Sequence, residues 1–225
     1  MNIAGAGHIA VIGSTSIIAR ELVKSWTGSG VEVFEVCRSI NDGADALSGI
    51  DLEEPDDVDR AIDALRSIGD LDEVWYVAGV RPVPETSGHQ MSMRAVHAEA
   101  PVRIAGALEE DRTIGRFHYI SSGFAGRDIP GDQMDAKTKM EGEHGLREVF
   151  KGRPDGLHIH RIGPVRTPML RTRVGRLFSV SPERAAEALL FSGDGASTRA
   201  GRLWMLQDRM LDAFWPVSRS QARHR

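Results

Sequence analysis

The stretch "HIAVIGSTSIIARELVKSWT", residues 8–27, predicts a strand, a turn and a helix in immediate succession. Its first six residues are largely apolar and β-branched, which is typical of a strand buried in a parallel sheet. A turn of small and hydroxyl-bearing residues follows, and apolar residues then recur at helical spacing as far as Trp26. A strand that passes directly into a helix is the repeating unit of α/β folds, so the remaining sequence decides how often this unit recurs.

Strand and helix patterns alternate along the rest of the chain. Further strands are predicted at 31–37, 49–52, 71–79, 116–122, 157–163 and 201–207. Helices are predicted at 17–27, 55–69, 88–111, 133–150 and 181–191. This alternation predicts an α/β fold, a single doubly wound, Rossmann-type domain whose central sheet is mostly parallel and seven-stranded. We assign residues 1–215 to this domain and expect residues 216–225 to form a flexible C-terminal tail.

The composition restricts the classes of partner. The 225 residues are 41% hydrophobic and 27% charged, which is ordinary for a soluble globular protein. The formal charge of −4 gives no electrostatic reason to expect nucleic acid as a partner. No segment approaches the ~20 apolar residues of a membrane span, so we expect no membrane partner either. The single cysteine, Cys37, excludes an internal disulfide and favours a cytoplasmic location.

The turn after the first strand is where a dinucleotide fold binds pyrophosphate, through backbone N–H groups at the start of the next helix. Gly13 is the one glycine in "GSTSIIA" (13–19), where further glycines are expected. The hydroxyl and backbone groups of this turn can still bind a phosphate, and the candidate residues are Ser14, Thr15, Ser16, Ile17 and Ile18. A helix N-cap without a ligand explains the same residues equally well.

The end of the second strand indicates which dinucleotide is bound. A carboxylate at this place accepts a hydrogen bond from a ribose 2′-hydroxyl and favours NAD, whereas a cation accommodates a 2′-phosphate. The sequence has Cys37 and then Arg38, and neither is acidic. We therefore predict NADP(H) as the cofactor, with an ordinary surface arginine as the alternative interpretation.

A hydroxyl, a carboxylate and an ammonium group occur together in "ISSGFAGRDIPGDQMDAKTK" (120–139). Ser122 ends the predicted fifth strand, Asp135 is thirteen residues further on, and Lys139 lies one helical turn after Asp135. Because ligands of doubly wound folds bind at the carboxyl ends of the strands, these three groups could line one cleft. As an i,i+4 pair, Asp135 and Lys139 would equally stabilise a solvated helix by about 0.3 kcal/mol.

These motifs resemble those of the short-chain dehydrogenase/reductase family over nearly the whole chain, from Ile9 to about Leu206. "GSTSIIA" stands where that family has its glycine-rich turn, and "YVAG" (76–79) matches the last two residues of its NNAG turn. Lys139 follows Ser122 by seventeen residues, which is the spacing of the family's catalytic serine and lysine.

The resemblance implies roles for individual residues. Asp51 and Leu52, in "GIDLEEPDDVDRAI" (49–62), would flank the adenine, and Ala78 and Gly79 would lie against the cofactor. Thr167, in "RIGPVRTPM" (161–169), would contact the nicotinamide carboxamide. Lys139 would bind the nicotinamide ribose, and Ser122 would act at the substrate carbonyl, as in an oxidoreductase of small carbonyl compounds and alcohols.

Two of the four catalytic positions depart from the family pattern. Asp135, in "DAKTK" (135–139), stands where the family has its catalytic tyrosine, and His97 replaces the asparagine of the tetrad. A carboxyl group has an unperturbed pKa of about 3.9, and we expect Lys139 to lower the pKa of Asp135 further. Asp135 is then an anion at neutral pH and is too short to reach a carbonyl placed for a phenol, so we do not expect it to be the general acid.

The proton must then come from water, from His97 or from another tyrosine. An imidazole, with a pKa of about 6.5, suits acid chemistry at neutral pH. The chain has only two tyrosines, Tyr76 and Tyr119. Side chains alternate along a strand, which predicts that Tyr119 points away from the face that carries Ser122. Tyr76 is therefore the better tyrosine candidate.

Three functions fit the sequence. The first is an NADP(H)-dependent oxidoreductase, the second is a sensor or scaffold that binds the cofactor without turnover, and the third is a cofactor-assisted dehydratase, isomerase or epimerase. The resemblance implies that the segment between Thr167 and Ser181 forms a lid over the substrate. Four arginines in or beside it favour an anionic substrate group, although a solvated cationic loop explains them as well: Arg166, Arg171, Arg173 and Arg176. The histidines do not have the spacing of a metal site, and we expect a homodimer or homotetramer.

Overall fold

The computed structural model describes residues 7–39, 46–80, 87–126, 134–166 and 179–190. Six strands form one sheet in the order β3-β2-β1-β4-β5-β6, and every neighbouring pair is parallel. They are β1 (His8–Ile12), β2 (Glu32–Val36), β3 (Ala46–Leu47), β4 (Leu71–Tyr76), β5 (Ile114–Ser122) and β6 (Leu157–Ile162). The strand order reverses between β1 and β4, which is the topological switch point of a doubly wound fold.

The predicted fold class is confirmed by this sheet and by the helices that connect its strands. The helices are α1 (Ile17–Thr27), α2 (Pro55–Ile68), α3 (Ser87–Arg94), α4 (Ala100–Glu110), α5 (Met134–Val149) and α6 (Pro182–Leu190). Local chemistry sets their starts: Ser16 Oγ accepts a hydrogen bond from the N–H of Ala19 at 3.1 Å, and Pro55 stands in the first turn of α2. The predicted seventh strand, 201–207, and the predicted tail lie outside the described residues.

Helices cover both faces of the sheet. The first face, called the α5 face here, packs apolar residues of β1, β4 and β5 against α2, α4 and α5, including Ile12, Phe117, Leu65, Ile104 and Leu146. The second, called the α1 face, packs the alternate strand residues against α1 and α6, including Val11, Trp75, Ile120, Leu22 and Leu189. The strand alternation therefore sends successive side chains into two separate cores.

The predicted third strand at 49–52 is wrong, because β3 is confined to Ala46–Leu47. Residues 49–52 instead form a turn organised by two aspartates. Asp51 Oδ1 accepts a hydrogen bond from the N–H of Glu53 at 3.1 Å, and the Asp51 N–H donates to Asp57 Oδ2 at 2.8 Å. Aspartate side chains that bond to nearby backbone favour turns over strand pairing, and this turn leads directly into α2.

The predicted helix at 88–111 is present but is interrupted by a π-helical turn, Ala95–Glu99. Pro101 explains the interruption, because it has no N–H to donate to the carbonyl of His97 and its ring crowds that carbonyl. The N–H of Ala100 donates instead to the carbonyl of Ala95, five residues back. The carbonyls of Val96 and His97 are thereby left without helical donors, and π-helical turns of this kind are frequent at functional sites.

Candidate active site

The turns after β1, β2, β4 and β5 open at one edge of the sheet, because all of these strands are parallel. Each turn carries residues that the sequence singles out. The β1 turn begins at Gly13, the β2 turn contains Arg38, the β4 turn contains Ala78 and Gly79, and β5 ends at Ser122. The fold therefore brings the predicted cofactor-binding and catalytic residues to the same edge.

Gly13 lies at the switch point between β1 and β4. Its φ of 85° is in the left-handed region, and its N–H donates to the carbonyl of Val36 at 2.8 Å. A Cβ atom at this position would lie 2.6 Å from the backbone N and Cα of Ala78. Only glycine fits here, so two predicted cofactor-binding turns are in direct contact.

The β1 turn contains donors that fit a pyrophosphate group. Ser14 is 1% exposed, and its Oγ has no hydrogen-bond partner among the described residues, although buried hydroxyls normally have one. Ile17 and Ile18 are the first residues of α1, where backbone N–H groups lack helical acceptors. The N-cap interpretation holds for Ser16, so the helix cap and the phosphate-binding donors belong to different residues of one turn.

Arg38 and Asp51 lie side by side at the far end of this edge. Arg38 Nη1 is 3.8 Å from Asp51 Oδ2, and the Arg38 side chain is 71% exposed. Leu52 is partly buried against the core of the α5 face. Among the described residues, the guanidinium thus has a weak, solvent-exposed ion pair as its partner.

Lys139 reaches the end of β5 from α5. Its Nζ donates to the carbonyl of Ile120 at 2.8 Å and lies 5.8 Å from the ring centroid of Tyr119. Ser122 follows Ile120 by two residues, is half-buried, and its Oγ accepts a hydrogen bond from the N–H of Phe124 at 3.2 Å. Lys139 therefore contacts β5 two residues before Ser122.

The pKa of Asp135 is shifted upward, whereas the sequence analysis expected it to be shifted downward. Burial raises the pKa of this carboxyl group, and the attraction of Lys139, which lowers it, is the smaller effect. The expected lowering is therefore wrong, because the sequence shows the neighbouring ammonium but not the loss of water around the carboxyl group. Asp135 Oδ1 also lies 3.6 Å from His97 Nδ1.

His97 is fixed at both ring nitrogens. The N–H of Val80 donates to Nε2 at 3.1 Å, which places the hydrogen of the neutral ring on Nδ1. Nδ1 lies 3.0 Å from Thr138 Oγ1, and that hydroxyl in turn donates to the carbonyl of Met134 at 2.9 Å. The ring is 1% exposed and joins the β4 turn to α5, so its position suits orientation of Asp135 better than direct contact with a substrate.

Neither tyrosine is available as the proton donor. Tyr76 Oη donates to the carbonyl of Val96, and Tyr119 Oη donates to the carbonyl of His97, each at 2.5 Å. These are the two carbonyls that the π-helical turn leaves without helical donors. Burial raises the pKa of both phenols well above their ordinary value. The preference for Tyr76 as a proton source is therefore wrong, whereas Tyr119 does point away from Ser122, toward α5, as predicted.

The two helices beside the site approach each other at Gly142. A Cβ atom there would collide with the carbonyl oxygen of His97 and would lie 2.8 Å from Tyr119 Oη. The absence of a side chain thus permits the contact that holds the π-helical turn against α5.

A buried carboxylate beneath the site is the main feature that the sequence analysis missed. Glu143 is fully buried, accepts from Ser121 Oγ at 2.6 Å, and accepts from Nε and Nη2 of Arg161 at 2.8 and 2.5 Å. Arg147 Nη1 donates to the same carboxylate at 3.3 Å. Its position four residues after Lys139 is visible in the sequence and puts both side chains on one helical face. The partner on β6 has no comparable local signal.

Several sequence-based predictions concern residues or features other than the contacts described above. Thr167, Arg171, Arg173 and Arg176 fall outside the described residues. Within the described ranges, no group of three or more histidine, cysteine, aspartate or glutamate side chains is arranged to hold a metal ion. None of the helices found there is both long enough and apolar enough to cross a membrane.

Solved structures share this fold at low sequence identity. A short-chain dehydrogenase from Streptomyces avermitilis is 19% identical, with a TM-score of 0.71 and coverage of 95% of this chain and 96% of that chain. An alcohol dehydrogenase from the archaeon Thermococcus sibiricus, complexed with 5-hydroxy-NADP, is 19% identical, with a TM-score of 0.70 and coverages of 83% and 90%. A Brucella ovis oxidoreductase with a partially ordered NAD is 19% identical, with a TM-score of 0.64 and coverages of 83% and 92%. The predicted resemblance to short-chain dehydrogenases is thus confirmed at the level of the fold.

Sequence comparison gives a match to a family model. No curated protein matches the chain significantly. A model of the NAD-dependent epimerase/dehydratase family matches residues 9–144, which is more than half of the 225 residues and includes both the β1 turn and Lys139. The chain therefore belongs to the NAD-dependent epimerase/dehydratase family.

Proposed function

We propose that this protein is an NADP(H)-dependent oxidoreductase of the short-chain dehydrogenase/reductase type, which interconverts a small carbonyl compound and its alcohol. The observation that carries the proposal is the contact of Lys139 with the end of β5, together with the electrostatic interaction of Asp135 with Lys139. Lys139 Nζ already contacts the strand two residues before Ser122. A sensor that only binds the cofactor would not require a serine at this place.

The residues of the β1 turn would hold the pyrophosphate of NADP(H). The orphaned hydroxyl of Ser14 and the N–H groups at the start of α1 supply hydrogen-bond donors, and Gly13 allows close approach of the backbone. The exposed Arg38 guanidinium would bind the 2′-phosphate, because its ion pair with Asp51 is weak. When bound, the cofactor supplies or accepts a hydride at the substrate carbon.

Lys139 would act on the cofactor, and Ser122 would act on the substrate. The Lys139 ammonium would bind the nicotinamide ribose, in exchange for its contact with the Ile120 carbonyl. Ser122 Oγ would donate a hydrogen bond to the carbonyl oxygen, which gains negative charge in the transition state. Its present partner, the N–H of Phe124, donates to the hydroxyl oxygen and leaves the hydroxyl hydrogen for the substrate.

Asp135 would exchange the proton. Two observations support this role: burial raises the pKa of this carboxyl group, and both tyrosine hydroxyls donate to carbonyls of the π-helical turn. A carboxyl group is shorter than a phenol, so one water molecule would bridge Asp135 to the substrate oxygen. His97, 3.6 Å away, would orient the carboxyl group.

A turnover assay tests these roles. The absorbance of NADPH at about 340 nm should fall with a member of a panel of small carbonyl compounds, including anionic ones. Asp135→Asn should lower kcat by about a hundredfold, or roughly 2.7 kcal/mol of barrier, with NADPH affinity unchanged. Ser122→Ala should lower kcat by a similar factor, because an oxyanion donor acts mainly in the transition state.

The outcomes separate the proton routes. If Asp135→Asn keeps kcat within about tenfold, roughly 1.4 kcal/mol, the proton comes from solvent and the role of Asp135 is wrong. Lys137→Ala, which changes an exposed lysine on the same helix, should leave kcat unchanged. An enzyme that turns over no member of the panel with either cofactor contradicts the oxidoreductase proposal.

Cofactor preference is tested at Arg38. Wild-type protein should bind NADPH more tightly than NADH, and Arg38→Ala should remove about 1–3 kcal/mol of that preference, the value of hydrogen bonds to a charged group. Titration of both cofactors against both proteins measures this. Equal affinities in the wild type, or a preference that survives the substitution, would show that Arg38 does not read the 2′-phosphate.

A cofactor-assisted dehydratase, isomerase or epimerase is the second candidate. Two observations favour it: the family to which the chain belongs, and a carboxyl group with a raised pKa that could act as base and then as acid. Such an enzyme would convert its substrate while the absorbance of bound NADPH shows no net change. Substrate consumption followed by NMR, alongside the absorbance, distinguishes the two reactions.

A further inference from the structure

The carboxylate of Glu143 is the most deeply buried charge in the described part of the chain that the proposed function does not use. Its side chain is 0% exposed, and four hydrogen bonds converge on its two oxygens. Burial of a charge without compensation is very costly, so this arrangement must be held by its partners. The partners are Ser121, Arg147 and Arg161.

The contacts of Glu143 link the elements that carry the site. Ser121 directly precedes Ser122 on β5, and Arg161 is its neighbour in the β5–β6 register. Glu143 itself lies one helical turn after Lys139 on α5. One carboxylate thus ties two strand ends to the helix that carries the ammonium group.

We propose that Glu143 is a positioning residue for Lys139: its carboxylate fixes the ends of β5 and β6 against α5 and places a negative charge one helical turn from the Lys139 ammonium group that would bind the cofactor. This inference rests on the proposed function, because the ammonium is expected to bind the nicotinamide ribose. Glu143 is not one of the three residues to which the proposed function gives a catalytic role, namely Ser122, Lys139 and Asp135.

The charges around Lys139 single out Glu143. The titratable groups that face Lys139 or its two neighbouring carboxyl groups come from four elements, namely Asp135, Glu143 and Arg147 on α5, Tyr119 on β5, Arg161 on β6 and His97 in the π-helical turn. Burial lowers the pKa of Lys139, while Asp135 and Glu143 raise it. Burial raises the pKa of Asp135 itself, whereas the Glu143 carboxylate is fixed in place by hydrogen bonds from two arginines.

The proposal predicts a specific change in pH dependence. NADPH affinity of the wild type should fall as the pH rises through the pKa of Lys139, since the ammonium is then lost. Glu143→Gln removes the negative charge and leaves Arg161 and Arg147 uncompensated. The midpoint of the affinity loss should then move to lower pH by about one unit.

Fluorescence titrations of NADPH between about pH 7 and pH 10.5 measure these midpoints. The matched control is Glu109→Gln, which removes another carboxylate from an ion pair with an arginine, Arg153, on a different helix. Both variants should lower the melting temperature, but only Glu143→Gln should move the midpoint. Lys139→Ala should abolish the pH dependence in this range.

A second variant should shift the midpoint of the affinity loss in the opposite direction, to higher pH. Arg161 is 25% exposed, so Arg161→Gln is less disruptive than a change at the fully buried carboxylate. It leaves the Glu143 charge less compensated and should raise the midpoint by about half a unit. This variant also carries the test if Glu143→Gln does not fold, because a purely structural role predicts no rise.

The outcomes are distinct from those of the proposed function. Midpoints in Glu143→Gln and Arg161→Gln that equal the wild-type value overturn the inference while NADPH binding stands. A wild type that binds no NADPH at any pH overturns the proposed function, and the inference with it.

Discussion

The two faces of the sheet bury polar groups in different ways. On the α5 face, buried hydroxyls and a carboxylate meet partners on other elements, as in the bonds of Tyr76 and Tyr119 to the π-helical turn. On the α1 face, His118 and His160 bond to each other at 3.0 Å and stack on Trp75, with ring centroids 4.0 and 5.3 Å away. On the α5 face, the buried polar groups hold the π-helical turn and α5 in position. On the α1 face, neutral rings stack on one another.

The difference shows that a strongly shifted pKa does not by itself locate a site. Burial lowers the pKa of His118 to about 2 and that of His160 to about 4. His118 nevertheless lies four residues before Ser122, roughly 13 Å along the strand. In a parallel sheet the carboxyl ends of the strands carry the ligands, so position along the strand decides which buried groups belong to the site.

Gly142→Ala, on the α5 face, should cause the largest loss of stability. The added methyl group collides with the His97 carbonyl, a backbone atom that cannot swing aside, and should cost about 3 kcal/mol of unfolding free energy despite the better helix propensity of alanine. Urea denaturation measures the loss. The matched control is Gly106→Ala on α4, where the nearest atom is 4.0 Å away, so that substitution should stabilise by about 0.5–1 kcal/mol. A neutral Gly142→Ala would contradict the close approach of α5 to the π-helical turn.

The α1 face should instead be sensitive to acid. The folded-state pKa values of His118 and His160 lie below the unfolded value of about 6.5, so the unfolded chain binds more protons between these values. The contribution of each histidine to stability is complete above about pH 6.5 and should fall by about 2–3 kcal/mol on acidification to about pH 4.5, or about 5 kcal/mol for the pair.

His160→Gln tests this prediction because glutamine can keep a hydrogen bond to His118 without titrating. The unfolding free energy of the variant should fall less steeply between about pH 6.5 and pH 4.5 than that of the wild type. His144→Gln, at an exposed position of α5, should retain the wild-type slope. Equal slopes for wild type and His160→Gln would mean that the histidine stack does not set the acid sensitivity.

The features that the sequence predicted well depend on local chemistry. The bounds of α1 follow from its Ser16 cap and from the spacing of apolar residues, and the parallel sheet follows from the alternation of strands and helices. The contact of Lys139 with the end of β5 could also be predicted, because it follows from where a strand ends and a helix begins.

The features that the sequence did not reveal depend on contacts between distant residues. Pro101 signals a disturbance in its helix, but the π-helical turn is completed by hydroxyl groups from β4 and β5. The direction of the pKa shift of Asp135 is set by burial that only tertiary packing creates. The partner of Glu143, Arg161, comes from a strand eighteen residues away along the chain.

The proposed function requires the end of β5 beneath α5 to be a dinucleotide site in which Lys139 holds the cofactor. The most direct test is the NADPH dissociation constant of wild type, Lys139→Ala and Lys137→Ala at neutral pH. The wild type and Lys137→Ala should bind equally, while Lys139→Ala should bind about ten- to hundredfold more weakly, the loss of about 1–3 kcal/mol expected for a hydrogen bond to a charged group. Wild-type affinity in Lys139→Ala would show that this helix is an ordinary solvated one and would contradict the account.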